Sequence, residues 1–254
     1  MNAQTVKNIP MEMLTSWPLA LGRLPIMTLR FAPDTIWREP FNQNPVLLIP
    51  GLGAPPITMA VLDVGLRYSG FWVYNAPISR NLGSFEVQGP ALLEKIEEIS
   101  NKHNRPVDIV GWSMGGRYAL RLAEVVPGKI GKIVTLGSPI QNVAISPFFE
   151  ELWRTALTVM DIPPERVQEE METPISLPDR KHPLSSIVGN FDAVVADESS
   201  LIPASMLKKG SRRENIRVPK GHIGMGMSLD VFDIAADRLA QRRVSWQPYQ
   251  PALH

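Results

Sequence analysis

From residue 45 onward, short apolar runs of β type alternate with longer stretches in which apolar residues recur every three or four positions. The first kind of run suits a strand buried on both faces, the second an amphipathic helix, and their alternation predicts an α/β fold with a mostly parallel sheet. Pro45-Val46-Leu47-Leu48-Ile49-Pro50 is the clearest buried strand, and Gly51-Leu52-Gly53-Ala54-Pro55-Pro56 ends it in a glycine-rich turn. Residues 71–74, 107–110, 133–136, 184–188 and 215–218 are the further strands. Residues 86–102 place Val87, Leu92, Leu93, Ile96 and Ile99 at helical spacing, and residues 117–126 and 231–241 are two more helices. No repeat of 20–50 residues, low-complexity tract or linker interrupts this order, so one domain over residues 1–254 is expected.

Two intervals depart from the rhythm. Residues 140–183 hold no clear strand: Pro147-Phe148-Phe149 opens an amphipathic run to Met160, and Pro163-Pro164 opens an acidic helix through Glu172. Inserted between two strands, such a segment is expected to cap the edge of the sheet where open α/β folds hold ligands. Residues 1–31 form an apolar N-terminal segment, with Met11, Leu14, Trp17 and Leu21 on one helical face, suited to the protein's own core, a lipid interface or an oligomeric partner. Pro18, Pro25, Glu12, Arg23 and Arg30 break it as a membrane span, and it lacks the layout of a secretory signal, which leads us to expect a cytoplasmic protein with no transmembrane segment.

Composition narrows the chemistry. Lys plus Arg number 26 against 25 Asp plus Glu, so no overall basic field is present to hold nucleic acid, and a small substrate of uncharged or mixed character is expected. With no cysteine in the chain, thiolate metal sites, disulfides and a cysteine nucleophile are excluded. The histidines are His103, His182, His222 and His254.

Against this background one motif stands out. Gly111-Trp112-Ser113-Met114-Gly115-Gly116 follows a strand and precedes a helix, the setting in which G-x-S-x-G forms a sharp strained turn with the serine hydroxyl thrust outward. Gly111 and Gly115 suit the close approach of neighbouring backbone there. A serine hydroxyl needs a base, and the base an orienting acceptor, in the chain order serine, acid, histidine. His182 precedes a strand and His254 is terminal; His222, in the loop after the last strand, is the base expected. Asp192, at the end of the strand over 184–188, is the expected acid, with Asp197 in reserve, while Asp161 and Asp179 read as solvated charges of the cap. An oxyanion formed during acyl transfer requires preorganised N–H donors, and the amides of Met114 and Leu52 are the candidates. The scheme needs no metal or other cofactor.

These motifs resemble the α/β-hydrolase superfamily, and within it bacterial serine esterases and lipase-like hydrolases. The resemblance spans about residues 45–249. It rests on the strand and turn through Gly53, Arg80-Asn81-Leu82-Gly83, the elbow, Thr135-Leu136-Gly137-Ser138-Pro139, Asp192-Ala193-Val194-Val195, His222-Ile223-Gly224-Met225-Gly226, and residues 236–241. It implies an α/β-hydrolase fold with helices on both faces of the sheet and a small helical cap, and a Ser113–Asp192–His222 triad with Leu52 as oxyanion donor. The sequence departs from the family pattern at Pro50, Ala193 and Met227-Ser228, where many relatives carry His, Gly and His-Asn, which touches substrate preference rather than catalytic groups. Carboxylic ester hydrolysis through an acyl-enzyme is the activity implied. An acyltransferase with the same triad and a non-catalytic binding protein of the same fold are the alternatives. Trp112 and Met225 beside the catalytic loops, and Phe148 and Trp153 in the cap, are candidates for an apolar acyl pocket, although core packing accounts for such residues equally well.

Overall fold

The structure is a computed structural model that describes residues 44–141, 154, 157–179, 182–242 and 245–250. The N-terminal segment at 1–31 and the cap residues Phe148 and Trp153 lie outside these. Six strands, β1 (Val46–Ile49), β2 (Val73–Asn75), β3 (Val107–Trp112), β4 (Ile130–Leu136), β5 (Leu184–Gly189) and β6 (Arg213–Val218), form one sheet. All are parallel, in the order β2-β1-β3-β4-β5-β6. The longer helices are α1 (Ala60–Tyr68), α2 (Phe85–His103), α3 (Met114–Val125), α4 (Pro164–Glu172), which lies in the segment between β4 and β5, and α5 (Leu229–Ala240).

The apolar runs read as two-faced strands behave as such. Side chains alternate across a strand, so β1 sends Val46 and Leu48 into one core layer and Leu47 and Ile49 into the other, all four without solvent contact. Leu62 and Leu66 of α1 and Val231, Phe232 and Leu239 of α5 complete the first layer. Leu92, Ile96 and Ile99 of α2 and Tyr118 and Leu122 of α3 complete the second. Helices therefore cover both faces of the sheet. Where α1 meets α5 the approach is close: a Cβ on Gly65 would stand 2.6 Å from the Phe232 ring.

Buried ion pairs join neighbouring elements of the fold. At the N-terminal edge of the sheet, Asp108 of β3 accepts from the Lys132 amide (2.6 Å) and the Lys132 ammonium (2.8 Å) of β4, and from the Asn44 side chain (2.8 Å). Near β6, Arg238 of α5 pairs with Glu214 at 3.0 Å and donates to the Gln247 carbonyl at 2.7 Å, which fastens the chain after α5 to the sheet. A buried charge left without its partner would be costly, and these pairs each tie different elements together.

Differences from the sequence expectations have local causes. Helix α1, which follows the turn that ends at Pro56, carries no sequence expectation; its Gly65 is there because Phe232 leaves no room for a side chain. Helix α3 begins at Met114 rather than 117, since Gly115 and Gly116, poor helix formers, are required by contact with neighbouring strands. β2 sits at Val73–Asn75, two residues later at its start than the apolar run 71–74, with Phe71 packing as core before the strand begins.

Candidate active site

At β1 and β3 the direction of the sheet's winding changes: the chain leaves β1 toward the edge strand β2 and leaves β3 toward β4. Connections that part to opposite sides open a crevice at the C-terminal ends of the strands, where open α/β sheets bind ligands. The glycine turn after β1 and the elbow after β3 both lie there.

Ser113 joins β3 directly to α3 with φ 54° and ψ −122°, a conformation that side-chain-bearing residues adopt at a cost of order 1–3 kcal/mol when the surroundings enforce it. Those surroundings are specific. The Ser113 amide donates to the Leu136 carbonyl at 2.8 Å and its carbonyl accepts from Gly116 at 2.9 Å. A Cβ on Gly115 would overlap the Ile49 carbonyl of β1, one on Gly111 would overlap the Gly115 backbone, and one on Gly116 would overlap the Ser138 side chain. The glycines let helix and strands close in behind the serine, as the motif requires.

Asp192 and His222 meet at the ends of β5 and β6. The His222 ring donates from Nδ1 to Asp192 Oδ2 at 2.7 Å, with side chains only 7% and 2% exposed. The other carboxylate oxygen of Asp192 accepts from the amides of Val194 (2.9 Å) and Val195 (2.8 Å), which fixes its rotamer. The two loops are tied by the Phe191 amide, which donates to the Lys220 carbonyl at 3.2 Å. Gly137, at the end of β4 with φ 50°, makes the space: a Cβ there would lie 2.8 Å from Asp192 Oδ2 and 3.2 Å from His222 Nδ1. Asp197 stands apart, paired at the surface with Arg217 at 2.5 Å.

The turn after β1 is held from below by Asn81, which is fully buried and donates from Nδ2 to the Pro50 carbonyl at 2.9 Å while Oδ1 accepts from Gly83 at 2.9 Å. The Gly53 amide donates to the Asn81 carbonyl at 2.8 Å, and the Ala54 amide to the Gly51 carbonyl at 3.0 Å. The Leu52 amide takes no part in this set. Met114 is the first residue of α3, a position whose N–H has no acceptor inside the helix and faces the positive end of the helix dipole. Gly51 brings the two turns together, for a Cβ on it would lie 3.2 Å from Ser113 Cβ.

Trp112 and Met225 are placed within the core layer that includes α1 and α5, 6% and 0% exposed. The Trp112 indole N–H donates to the His222 carbonyl at 3.1 Å, and the indole and imidazole centroids lie 6.1 Å apart at 38°. Met225 packs its terminal methyl toward Gly137. The two residues thus sit behind the histidine loop and join it to the elbow.

The described part of the cap is anchored on the same turns. Residues 157–159 are helical, and α4 begins at Pro164 and ends at Glu172, matching the acidic helix expected there. Arg80 donates to the Met160 carbonyl at 2.6 Å, and Met160 and Ile162 crowd the space beside Gly53. Val167 of α4 and Leu52 converge on Gly83, whose Cβ would lie 2.6 and 2.7 Å from their methyl groups. Arg117 of α3, without solvent contact, donates to the carbonyls of Glu170 (2.6 Å), Thr173 (2.8 Å) and Pro139 (3.0 Å). Burial pushes its guanidinium down to about 10, which leaves it charged at neutral pH.

Sequence reasoning gives no role to Arg117, Glu170 or Asn81. Asn81 lies in the Arg80-Asn81-Leu82-Gly83 motif, which is the one signal that marks it. For Arg117 the signal is a charge at a position where α3 should be apolar, four residues after the serine. Among the described residues, no group of three or more His, Asp or Glu converges as metal ligands, and no helix is long and apolar enough to cross a membrane.

A parallel, doubly wound sheet with a strained serine between strand and helix, and an Asp–His pair on the loops of its last two strands, defines the α/β-hydrolase fold. The chain belongs to the alpha/beta hydrolase family, whose profile matches residues 46–244. Solved structures agree on the fold. The type II thioesterase BorB from the borrelidin biosynthetic cluster aligns with a TM-score of 0.57 at 18% identity, over 78% of this chain and 92% of that one. A lipase-esterase related protein from Clostridium acetobutylicum ATCC 824 aligns with a TM-score of 0.55 at 15% identity, over 79% and 93%. The 2-hydroxy-6-oxo-6-phenylhexa-2,4-dienoate hydrolase from Rhodococcus sp. strain RHA1 aligns with a TM-score of 0.54 at 18% identity, over 79% and 92%. At these identities the likeness is one of fold. Comparison with curated proteins gives no match.

Proposed function

We propose that this protein hydrolyses carboxylic esters through a Ser113–His222–Asp192 triad and an acyl-enzyme intermediate. The observation that carries the reading is the 2.7 Å hydrogen bond from His222 Nδ1 to Asp192, on loops adjacent to an enforced positive-φ serine. Asp192 holds the ring with its proton on Nδ1, so Nε2 is the basic nitrogen. His222 takes the hydroxyl proton as Ser113 Oγ attacks the ester carbonyl carbon, and the carbonyl oxygen becomes an oxyanion met by the amides of Leu52 and Met114. As the carbon–oxygen bond breaks, His222 gives the proton to the departing alkoxide, which leaves as the alcohol. Water then repeats the sequence on the acyl-enzyme, releasing the acid and restoring Ser113. Leu52, Met160 and Ile162 around Gly53 favour an uncharged, apolar substrate. In this reading the cap over residues 140–183 covers the site, with Phe148 and Trp153 against the acyl chain.

The test is hydrolysis of a series of 4-nitrophenyl esters from acetate to palmitate by the wild type and by Ser113→Ala. Turnover that disappears with the serine supports the reading. Equal turnover by the two proteins contradicts it, and so does a wild type inert to every ester and to a fluorophosphonate.

A further inference from the structure

Arg117, Arg121 and Glu170 form a buried charge cluster that the proposed chemistry does not use and that lies between the elbow helix and the cap. The cluster is built as a junction. Arg117 lies on the helix launched by Ser113, and its guanidinium caps the C-terminal end of α4 by donating to the carbonyls of Glu170 and Thr173, acceptors that a helix end otherwise leaves open. The Glu170 carboxylate, 4% exposed, lies 3.9 Å from Arg117 Nε and accepts from the amide of Phe85, the first residue of α2, at 3.0 Å and from Arg121 at 3.3 Å. Three helices are thereby locked at one point. From that point α4 extends back to Val167, whose Cγ2 methyl stands beside Gly83 together with the Leu52 Cδ1 methyl, 2.6 and 2.7 Å from where a Cβ would lie.

The consequence reaches the oxyanion turn. The backbone about Leu52 is bonded to Asn81 beneath it, while the Leu52 side chain and Val167 of α4 share the space over Gly83. A shift of α4 would open that space and let the turn rotate. A bridge of methyl groups alone would pack as well and cost less than burying two charges, yet it would not fix the rotation or height of α4, because apolar contacts are not directional. The forked guanidinium, bound to carbonyls at defined angles, does fix them.

We propose that Arg117 and Glu170 are positioning residues for the oxyanion hole: they lock α4 against the turn after β1 and so set the direction of the Leu52 amide. The proposal rests on the reading of Ser113 and Leu52 given above. It assigns the cap a role in transition-state stabilisation in addition to covering substrate, and makes α4 part of the catalytic framework.

Glu170→Gln and Val167→Ala test it, with the Ser113→Ala protein as reference. Misplacing a donor by a fraction of an ångström should lower kcat for 4-nitrophenyl acetate by roughly tenfold to a hundredfold with little change in KM. The inhibition constant of an alkyl trifluoromethyl ketone, which forms a tetrahedral adduct whose oxygen occupies the hole, should rise by a similar factor, because the hole acts on the tetrahedral state and not on bound ester. A structural role alone would lower the melting temperature and leave both quantities within about twofold of wild type, and that result overturns the proposal. If Glu170→Gln does not fold, Val167→Ala, which buries no lone charge, decides by the same two measurements. Failure of the catalytic reading looks different: the wild type would then neither turn over the ester nor bind the ketone.

Discussion

The two halves of the crevice are held by different means. Around Ser113 and the Asp192–His222 pair, position comes from missing atoms: Gly111, Gly115, Gly116 and Gly137 let backbone and catalytic side chains approach to distances that any Cβ would prevent. Around the turn after β1 and the cap, position comes from polar side chains, with Asn81, Arg80, Arg117 and Glu170 bonded to backbone groups of other elements. Close packing by glycine tolerates no substitution but needs no partner. Polar bracing spreads its requirement over several residues far apart in the chain, and its parts can be altered one at a time.

The sharpest break on the glycine-packed side is at the acid. Asp192→Asn should reduce kcat by about 10⁴, because the amide favours the wrong imidazole tautomer while leaving the fold in place. Steady-state kinetics on a nitrophenyl ester reads this directly, and a loss below about tenfold would remove Asp192 from the role of acid. Gly115→Ala tests the packing itself: with the Ile49 carbonyl in the way, unfolding free energy should fall by about 2–4 kcal/mol in a denaturant titration. A fall under about 1 kcal/mol would mean that helix and strand have room to part.

Trp112→Phe probes the link between elbow and histidine loop. It keeps the aromatic packing but leaves the His222 carbonyl without the indole donor, for an expected loss of about 1–2 kcal/mol and roughly tenfold in kcat. Unchanged activity with lowered stability would confine Trp112 to the core. At the small end, Asp197→Asn should leave kcat alone and change stability by less than about 1 kcal/mol, since its partner Arg217 is solvent-exposed. A strong loss of activity there would exchange the roles of the two aspartates.

The contrast also explains what the sequence discloses. Strand β1 announces itself because both its faces are buried and the run Val46-Leu47-Leu48-Ile49 is wholly apolar. The elbow is legible because its glycines are adjacent to the serine, so the geometry is local. Asp192 and His222 are legible by strand ends and chain order, both local again. The Arg117–Glu170 junction is not, since the two are 53 positions apart: Arg117 stands out only as a charge where α3 should be apolar, and nothing local names its partner. Trp112 shows the same limit from the other side. As an aromatic beside the serine it suggests an acyl pocket, yet its alternation along β3 turns it into the core layer with Val110. Helix α1 directly follows the Pro55-Pro56 turn and holds Gly65, a poor helix former, where it packs on Phe232, so local pattern alone gives it little signal.

The measurement that bears most directly on the central claim is mass spectrometry of the protein after reaction with a fluorophosphonate. A base-activated serine should give a single phosphonyl adduct on the peptide containing Ser113, abolished by Ser113→Ala and slowed by roughly 10³ or more in His222→Ala. An adduct on another residue, or an unmodified wild-type protein, would contradict the account.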